Sequence, residues 1–389
     1  MTVAKKPRLL IVGEAWGAKE EMFKHALVDP TGAELARMLQ SVGFIQQKLR
    51  AYPSELDMIR LWQSLRENNT PEIYVTNVFQ TRPPNNEVDF FFDKNGDRTK
   101  PVYNRNKFVK LEYSHFLDEL YSLCQTLKPN LILALGNTAT WALLNKTNIA
   151  KIRGTVELSR NLNIKVLPTY HPAAVLRDWS LRTIVLSDLQ KALREVQFPE
   201  IKRIERFITC HDHNEPDPEK ARLTLDEIKA WTARDADYYA IDIESGYALY
   251  TKAELNRMTQ GMRYILSSQI SMIGFARSPS DALVIPFMTR NELDLNYWKT
   301  VKEEKEAWKV AMRLLASPQV KIFQNGMYDI GRFLSLGIRV NNAQEDTMLR
   351  HHALYPELLK SLGFLGSIYS NEMSWKTMYD VSETLKKDE

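Results

Sequence analysis

The stretch YYAIDIES, residues 238–245, decides how the second half of this chain folds. With a side-chain period of two, Tyr239, Ile241 and Ile243 face one way, and Ala240, Asp242 and Glu244 face the other. The first set fits a core. The second puts two carboxylates side by side on an otherwise apolar strand, where they repel each other and are costly to desolvate. A divalent cation removes both problems, and hard oxygen donors suit Mg²⁺ or Mn²⁺. An exposed strand face carrying two solvated acids satisfies the same pattern.

Around that strand, a helix is predicted over LTLDEIKAWTA and a hairpin over SSQISMIGFAR and DALVIPF. A long helix around residues 307–315, the strand VKIFQN and the helix MYDIGRFLSLGI follow. Adjacent strands followed by αβα give a mixed sheet. FQNGMYD runs off its strand into a helix and puts Asp329 in the first helical turn, while Asn325 could hold a phosphate or a neighbouring loop. Asp242, Glu244 and Asp329 then supply three acids from two separated elements, as a two-metal phosphodiesterase requires.

The segments DIES, QNGMYD and EDTMLRHHALYPELLKSLGFLGSIY resemble the first two exonuclease motifs of family A DNA polymerases and the segment after them. The resemblance covers residues 235–378 and implies a ribonuclease H-like, mixed-sheet 3′→5′ exonuclease domain. It implies Asp242, Glu244 and Asp329 as ligands of two Mg²⁺ or Mn²⁺ ions and a single-stranded 3′ end of DNA as substrate; Asn325 stays a candidate nucleic-acid contact on its own position. Asp346 reads as a helix-capping residue instead of a fourth ligand. The family's third motif, Tyr-x-x-x-Asp, has no match: Tyr379 is followed four positions on by Glu383. The expectation is an incomplete domain, from a truncated or split polymerase, whose site a polymerase domain or second chain would complete.

The first half reads differently. RLLIV, IYVTNV, LILALG and KVLPTY alternate with helical stretches, among them one with Leu35, Met38, Leu39 and Val42 on one face. Such alternation predicts a three-layer α/β/α domain on a parallel sheet, with its site at the C-terminal strand ends. GEAWGAKEE places Gly13, Glu14 and Gly17 at the end of the first strand. Asn77 ends the second, where an amide offers donor and acceptor together, as the edge of a flipped pyrimidine needs. His171 in TYHPAAVLR ends the last, where a neutral imidazole can donate to a developing oxyanion. Each residue taken singly also fits a structural role. NNEVDFFFDKNGDRTKPVYNRNK, residues 85–107, reads as a long irregular loop or a partner surface.

GEAWG, TNVFQTRPP, PNLILALGNTATWALL, IRGT and TYHPAAVLR, in that order, resemble the uracil-DNA glycosylase superfamily, especially its family 4-like branch, over residues 8–195. The resemblance implies that Glu14 positions the attacking water, Asn77 reads uracil and His171 stabilises the departing anion. The loop with Leu176 and Arg177 would press on the DNA. Trp16 stands where that branch carries Pro, Leu27 where it carries a stacking Phe, and Thr81 where it carries a cluster-ligating Cys. Cys124 and Cys210 are the only cysteines, so no iron–sulfur cluster is expected.

These readings divide the chain into a glycosylase-like domain (1–198), a linker (199–220) and an exonuclease domain (221–389). Cys210, His211 and His213 in the linker match no zinc spacing. A net charge of +4 permits a nucleic-acid partner without demanding one. No apolar run is long enough to span a bilayer and no signal peptide is evident, so no membrane partner is expected and the expected location is cytoplasmic, the host cytoplasm if the chain is viral. The first function implied is the N-terminal part of a phage-like DNA polymerase with a proofreading exonuclease. The alternatives are an active uracil-DNA glycosylase fused to an exonuclease, and an inactive DNA- or partner-binding module.

Overall fold

The computed structural model describes residues 6–370 and 372, apart from 160 and 293. Two compact units emerge among them, one made of the described residues up to Arg203 together with those from Gly363 on, the other Ile204–Leu362. Tyr379 and Glu383 lie outside the described residues.

The first unit is built on strands β1 (Arg8–Ala15), β2 (Glu72–Phe79), β5 (Leu131–Leu135), β6 (Glu157–Leu158) and β7 (Lys165–Thr169), with a small hairpin of β3 (Phe92–Asp93) and β4 (Phe108–Val109) beside them. The sheet order is β2-β1-β5-β7-β6, and all pairs are parallel except β6–β7. Alternation along the strands sorts the core into two layers. Leu9, Ile11, Leu133, Leu135 and Leu167 pack with residues of the helices Pro30–Ser41, Glu55–Glu67 and Leu181–Glu195. Leu10, Val12, Ile132, Ala134 and Val166 pack with residues of His115–Leu127 and Gly136–Leu144 on the other face. This is the α/β/α sandwich that the alternating pattern predicted.

The excursion after β2 departs from the expected irregular loop. Phe91, Phe92, Tyr103 and Val109 are buried in the second core layer. Tyr103 stacks on Phe92 at 3.9 Å between centroids and meets Trp141 edge-on. Its aromatic islands are therefore core, and the polar residues between them are the surface.

The second unit carries β8 (Phe207–Thr209), β9 (Tyr238–Ser245), β10 (Ile270–Ser278), β11 (Asp281–Pro286), β12 (Val320–Phe323) and β13 (Ala343–Asp346), in the order β13-β12-β9-β10-β11-β8. The β9–β10 and β10–β11 pairs are antiparallel and the other three parallel. Tyr239, Ile241 and Ile243 join Ile273, Phe275 and Leu283 in a core shared with Ala307, Val310 and Leu314 of the helix Val301–Ala316. β8 lies within the stretch expected to be linker and pairs with β11. Near it, His211 Nδ1 sits 3.3 Å from the Tyr297 hydroxyl, and the His211 and His213 rings pack at 4.9 Å.

The second domain was expected to run to the end of the chain. Instead, in the helix Leu362–Tyr369, the residues from Gly363 on group with the first unit. The reason is a buried polar cluster. Arg153 binds Asp188 through Nε at 2.9 Å, and Asp188 also accepts from Thr169 Oγ1 at 2.7 Å. Arg153 Nη1 donates to Ser367 Oγ at 3.0 Å, and Lys191 Nζ donates to the carbonyls of Gly154, Ser367 and Ser370. Leu365 and Ile368 are buried beside them.

Candidate functional site

The parallel register brings the C-terminal ends of β1, β2 and β7 to one edge, where Gly13 pairs with Asn77. The approach is close. A Cβ on Gly13 would lie 2.2 Å from Asn77 Oδ1 and 3.8 Å from His171 Nε2. Only glycine lets the two polar side chains converge over this strand. Glu14, Asn77, His171 and Arg177, four of the expected residues, line one cleft of about 500 Å³. Leu176, exposed, and Arg177 end the short helix Pro172–Arg177 and do not lie in the expected loop, because His171 caps and Pro172 opens a helical turn there.

Asn77 is 2% exposed, and its Nδ2 makes no hydrogen bond. It lies near enough to Glu20 to help lower that carboxyl's pKa, but no acceptor meets its Nδ2 with hydrogen-bond geometry. A buried, unsatisfied donor in a native pocket calls for a ligand acceptor. Glu20 itself is 5% exposed and accepts from the Gly17 amide at 2.6 Å and from the Leu27 amide. Burial raises its pKa.

Ala173 N–H donates to Nδ1 of His171 at 3.2 Å. That bond leaves Nε2 as the protonated nitrogen of the neutral ring. Burial lowers the pKa of His171 to about 4, so it is neutral at physiological pH. Glu14 has its pKa raised by burial, opposed by a 2.6 Å hydrogen bond from Thr138 Oγ1 and by the charge of Arg177.

Trp16 lines the cleft without filling it, with Lys24 Nζ 4.8 Å from its ring centroid. Leu27 is also on the wall, in the left-handed region at φ 56°. Glu20 holds its amide, Trp62 Nε1 donates to its carbonyl at 2.9 Å, and Gly32 leaves room for that carbonyl. Glu20, Thr138 and Tyr103 escaped the sequence reading. An acid three residues after the helix-starting Gly17 is the local signal for Glu20, which reaches back to the Gly17 amide as in one half of a capping box. Nothing local marks Tyr103, which reaches the cleft from the aromatic excursion.

The residues do not fit an iron–sulfur cluster. Cys124 is buried in the helix His115–Leu127, with its thiol pushed up to about 12 by burial, and Cys210 belongs to the other unit.

In the second unit Asp242 and Glu244 are exposed on β9, as the alternation required, while Asp329 is 4% exposed. Asp329 Oδ1 accepts from the Ile243 amide at 3.2 Å. Its pKa is raised to about 6, by burial first and then by Asp242. Glu244 is raised by burial and by Asp242. Although solvent reaches Asp242, the surrounding protein desolvates it enough to raise its pKa too. Asp242 is thus the common neighbour of the other two, but among the described residues no three His, Cys, Asp or Glu side chains converge to hold a metal ion. The donor types suit a hard cation; their arrangement does not yet form its cage. Asp346 caps the helix Thr347–Leu354 through the Met348 and Leu349 amides, as expected, and also accepts from the amides of Asn325 and Gly326. Asn325 is exposed in the left-handed region, so a loop contact is made by its backbone.

No described helix is long and apolar enough to cross a membrane. Residues 2–197 match the family model described as the uracil DNA glycosylase superfamily. A type-4 uracil-DNA glycosylase of Archaeoglobus fulgidus is 28% identical over 194 residues, covering 48% of this chain and 76% of the relative. That of Thermotoga maritima is 28% identical over 189 residues, with the same two coverages. That of Sulfurisphaera tokodaii is 25% identical over 210 residues, covering 52% and 76%. These matches support the glycosylase-like reading of the first half and do not bear out the polymerase exonuclease that the sequence implied. By its first half, this chain belongs to the uracil DNA glycosylase superfamily.

Proposed function

We propose that the first unit excises uracil from DNA. The unspent Nδ2 of buried Asn77 carries this reading. In a flipped uracil, O4 would accept from Nδ2 and N3–H would donate to Oδ1, a pairing that cytosine reverses. His171, neutral with its proton on Nε2, would donate to O2 as the glycosidic electron pair moves onto the base. Glu14 would orient water toward C1′ and take its proton as the new C–O bond forms. The base leaves as the uracil anion and is protonated in solvent. Trp16 and Tyr103 supply aromatic cleft wall where Leu27 does not. The experiment is direct: incubate the chain with a single-uracil oligonucleotide, then cleave abasic sites with alkali. Scission by the wild type, lost in Asn77→Ala and His171→Ala, supports the reading. No scission at stoichiometric protein sinks it in favour of an inactive DNA-binding module.

Asp242 and Glu244 on one face of β9, with buried Asp329 bonded to the amide of Ile243 between them, support a second reading for the other unit, a ribonuclease H-like 3′→5′ exonuclease of a phage-like DNA polymerase. A bound divalent cation would supply an activated water and charge stabilisation. To hold it, Asp242, Glu244 and Asp329 would have to be drawn closer together than they stand, with a further domain or chain completing the site. Mn²⁺-dependent trimming of a labelled 3′ end, abolished by Asp242→Ala with Glu244→Ala, is the test. Trimming that survives both substitutions refutes the assignment.

A further inference from the structure

The first unit displays an aromatic side chain that no step above uses. Trp179 is 62% exposed, two residues beyond Arg177 on the cleft wall and three beyond exposed Leu176. Single exposed apolar residues are ordinary. This one is held in place. Asp178 Oδ1 accepts from the Ser180 amide at 3.1 Å and from the Ser180 hydroxyl at 2.6 Å, which fixes the turn. The Arg182 amide donates to the Trp179 carbonyl at 3.1 Å. The Arg182 guanidinium lies 5.1 Å from the indole centroid and is itself bound at 2.9 Å to Glu34, which is buried. Glu34 sits about one turn along the helix whose start, Asp29 and Thr31, lines the cleft. The indole is therefore anchored two residues from the cleft-lining Arg177, with most of its surface left to solvent.

We propose that Trp179 is a base-stacking residue, engaging a nucleotide that flanks the one turned into the cleft. The inference rests on the uracil-excision reading for where the DNA runs. The chemistry follows from the parts. Turning one nucleotide out unstacks its neighbours, and an exposed indole offers a replacement face for any base. Because Arg182 and the turn already hold Trp179, little side-chain freedom is lost on binding. Arg177 adds positive charge on the same segment for the backbone phosphates.

The test uses the full chain and two variants, Trp179→Ala and Trp179→Phe. DNA affinity is read by anisotropy on a uracil-free single strand and on a strand with a non-cleavable deoxyuridine analogue, and excision by single-turnover rates. Trp179→Ala should weaken binding to both strands by about tenfold or more. Trp179→Phe should stay within about threefold of wild type, because a phenyl ring still stacks. Inhibition by free uracil and the urea midpoint should not move. Wild-type affinity in Trp179→Ala overturns the proposal, as does an equal loss in Trp179→Phe. If the wild type excises nothing, the excision reading fails by itself, and the affinity series on the uracil-free strand still decides the role of Trp179.

Discussion

Thr138 Oγ1 donates a 2.6 Å hydrogen bond to Glu14 Oε2 and so opposes the burial that raises the pKa of this carboxyl. A Thr138→Val substitution keeps the shape and removes the donor. The carboxyl then rises further, and a larger fraction is protonated at mildly acidic pH. The acid limb of the single-turnover excision profile should move to higher pH, with a several-fold rate loss on the acid side and little change above neutrality. An unmoved limb would separate Glu14 from the titrating step.

Gly13→Ala should disable the cleft without substituting any of its polar residues. The new Cβ, 2.2 Å from Asn77 Oδ1, forces the amide aside. A displacement of this size at a reacting geometry costs about 10²-fold in rate, and the overpacking costs about 1–3 kcal/mol of stability. Excision rates and urea denaturation measure the two effects separately.

His171 carries a pH signature. Its folded pKa, lowered to about 4 by burial, lies below the 6.5 of the free side chain. The unfolded chain therefore binds the proton first, and the folded state loses stability as pH falls from about 6.5 toward about 4. His171→Gln cannot be protonated. Over that window it should lose less stability than the wild type, by on the order of 1 kcal/mol, while excision falls by about 10²-fold or more. Urea denaturation of the first unit at two pH values checks the sign.

Asp329 has the opposite linkage. Its folded pKa, raised to about 6, exceeds the ordinary 3.8, so its contribution to stability falls as pH rises from about 3.8 to about 6. Asp329→Asn keeps an oxygen for the Ile243 amide and removes the charge. It should stabilise the second unit near neutral pH by on the order of 1 kcal/mol when no divalent cation is present. Added Mn²⁺ should raise the melting temperature of the wild type and leave that of the variant unchanged. The same Mn²⁺ response in both would remove Asp329 from the proposed ligand set.

Lys191 is buried, and burial pushes its pKa down to about 8. Lys191→Met preserves bulk but strips donors from the carbonyls of Gly154, Ser367 and Ser370. Hydrogen exchange in residues 363–370 should accelerate, with a loss of about 3 kcal/mol in the first unit. Unchanged protection there would show that Leu365 and Ile368 suffice to hold the segment.

What could be read from the sequence was what local periodicity or strand order controls. Alternation alone put Ile241 and Ile243 inside and Asp242 and Glu244 outside. Parallel strands share a C-terminal edge, so Glu14, Asn77 and His171 were bound to gather once the strands were found. Tyr103 and the return of Gly363 were hidden for one physical reason. Their environments are set by partners remote in sequence: Tyr103 packs on Trp141, and Ser367 on Arg153 and Lys191. An apolar helix such as Leu362–Tyr369 reads the same whichever surface it covers. The metal site stayed half legible, since motif spacing names donors and tertiary packing decides whether they converge.

The return of Gly363 makes the first unit discontinuous in sequence, with about 160 residues interposed before its last helix. Cutting the chain once anywhere in residues 204–362 therefore does not free that helix. The clasp of Arg153, Asp188 and Lys191 around Ser367 and Ser370 remains. A nicked preparation should migrate as a single species in native gels and split only in denaturant, so the intact mass on a sizing column says nothing about whether the covalent chain is whole. Before the clasp can form, the interposed segment must be looped out, at an entropic cost that grows only slowly with its length. Insertions within residues 204–362 should therefore leave the first unit nearly as stable as before.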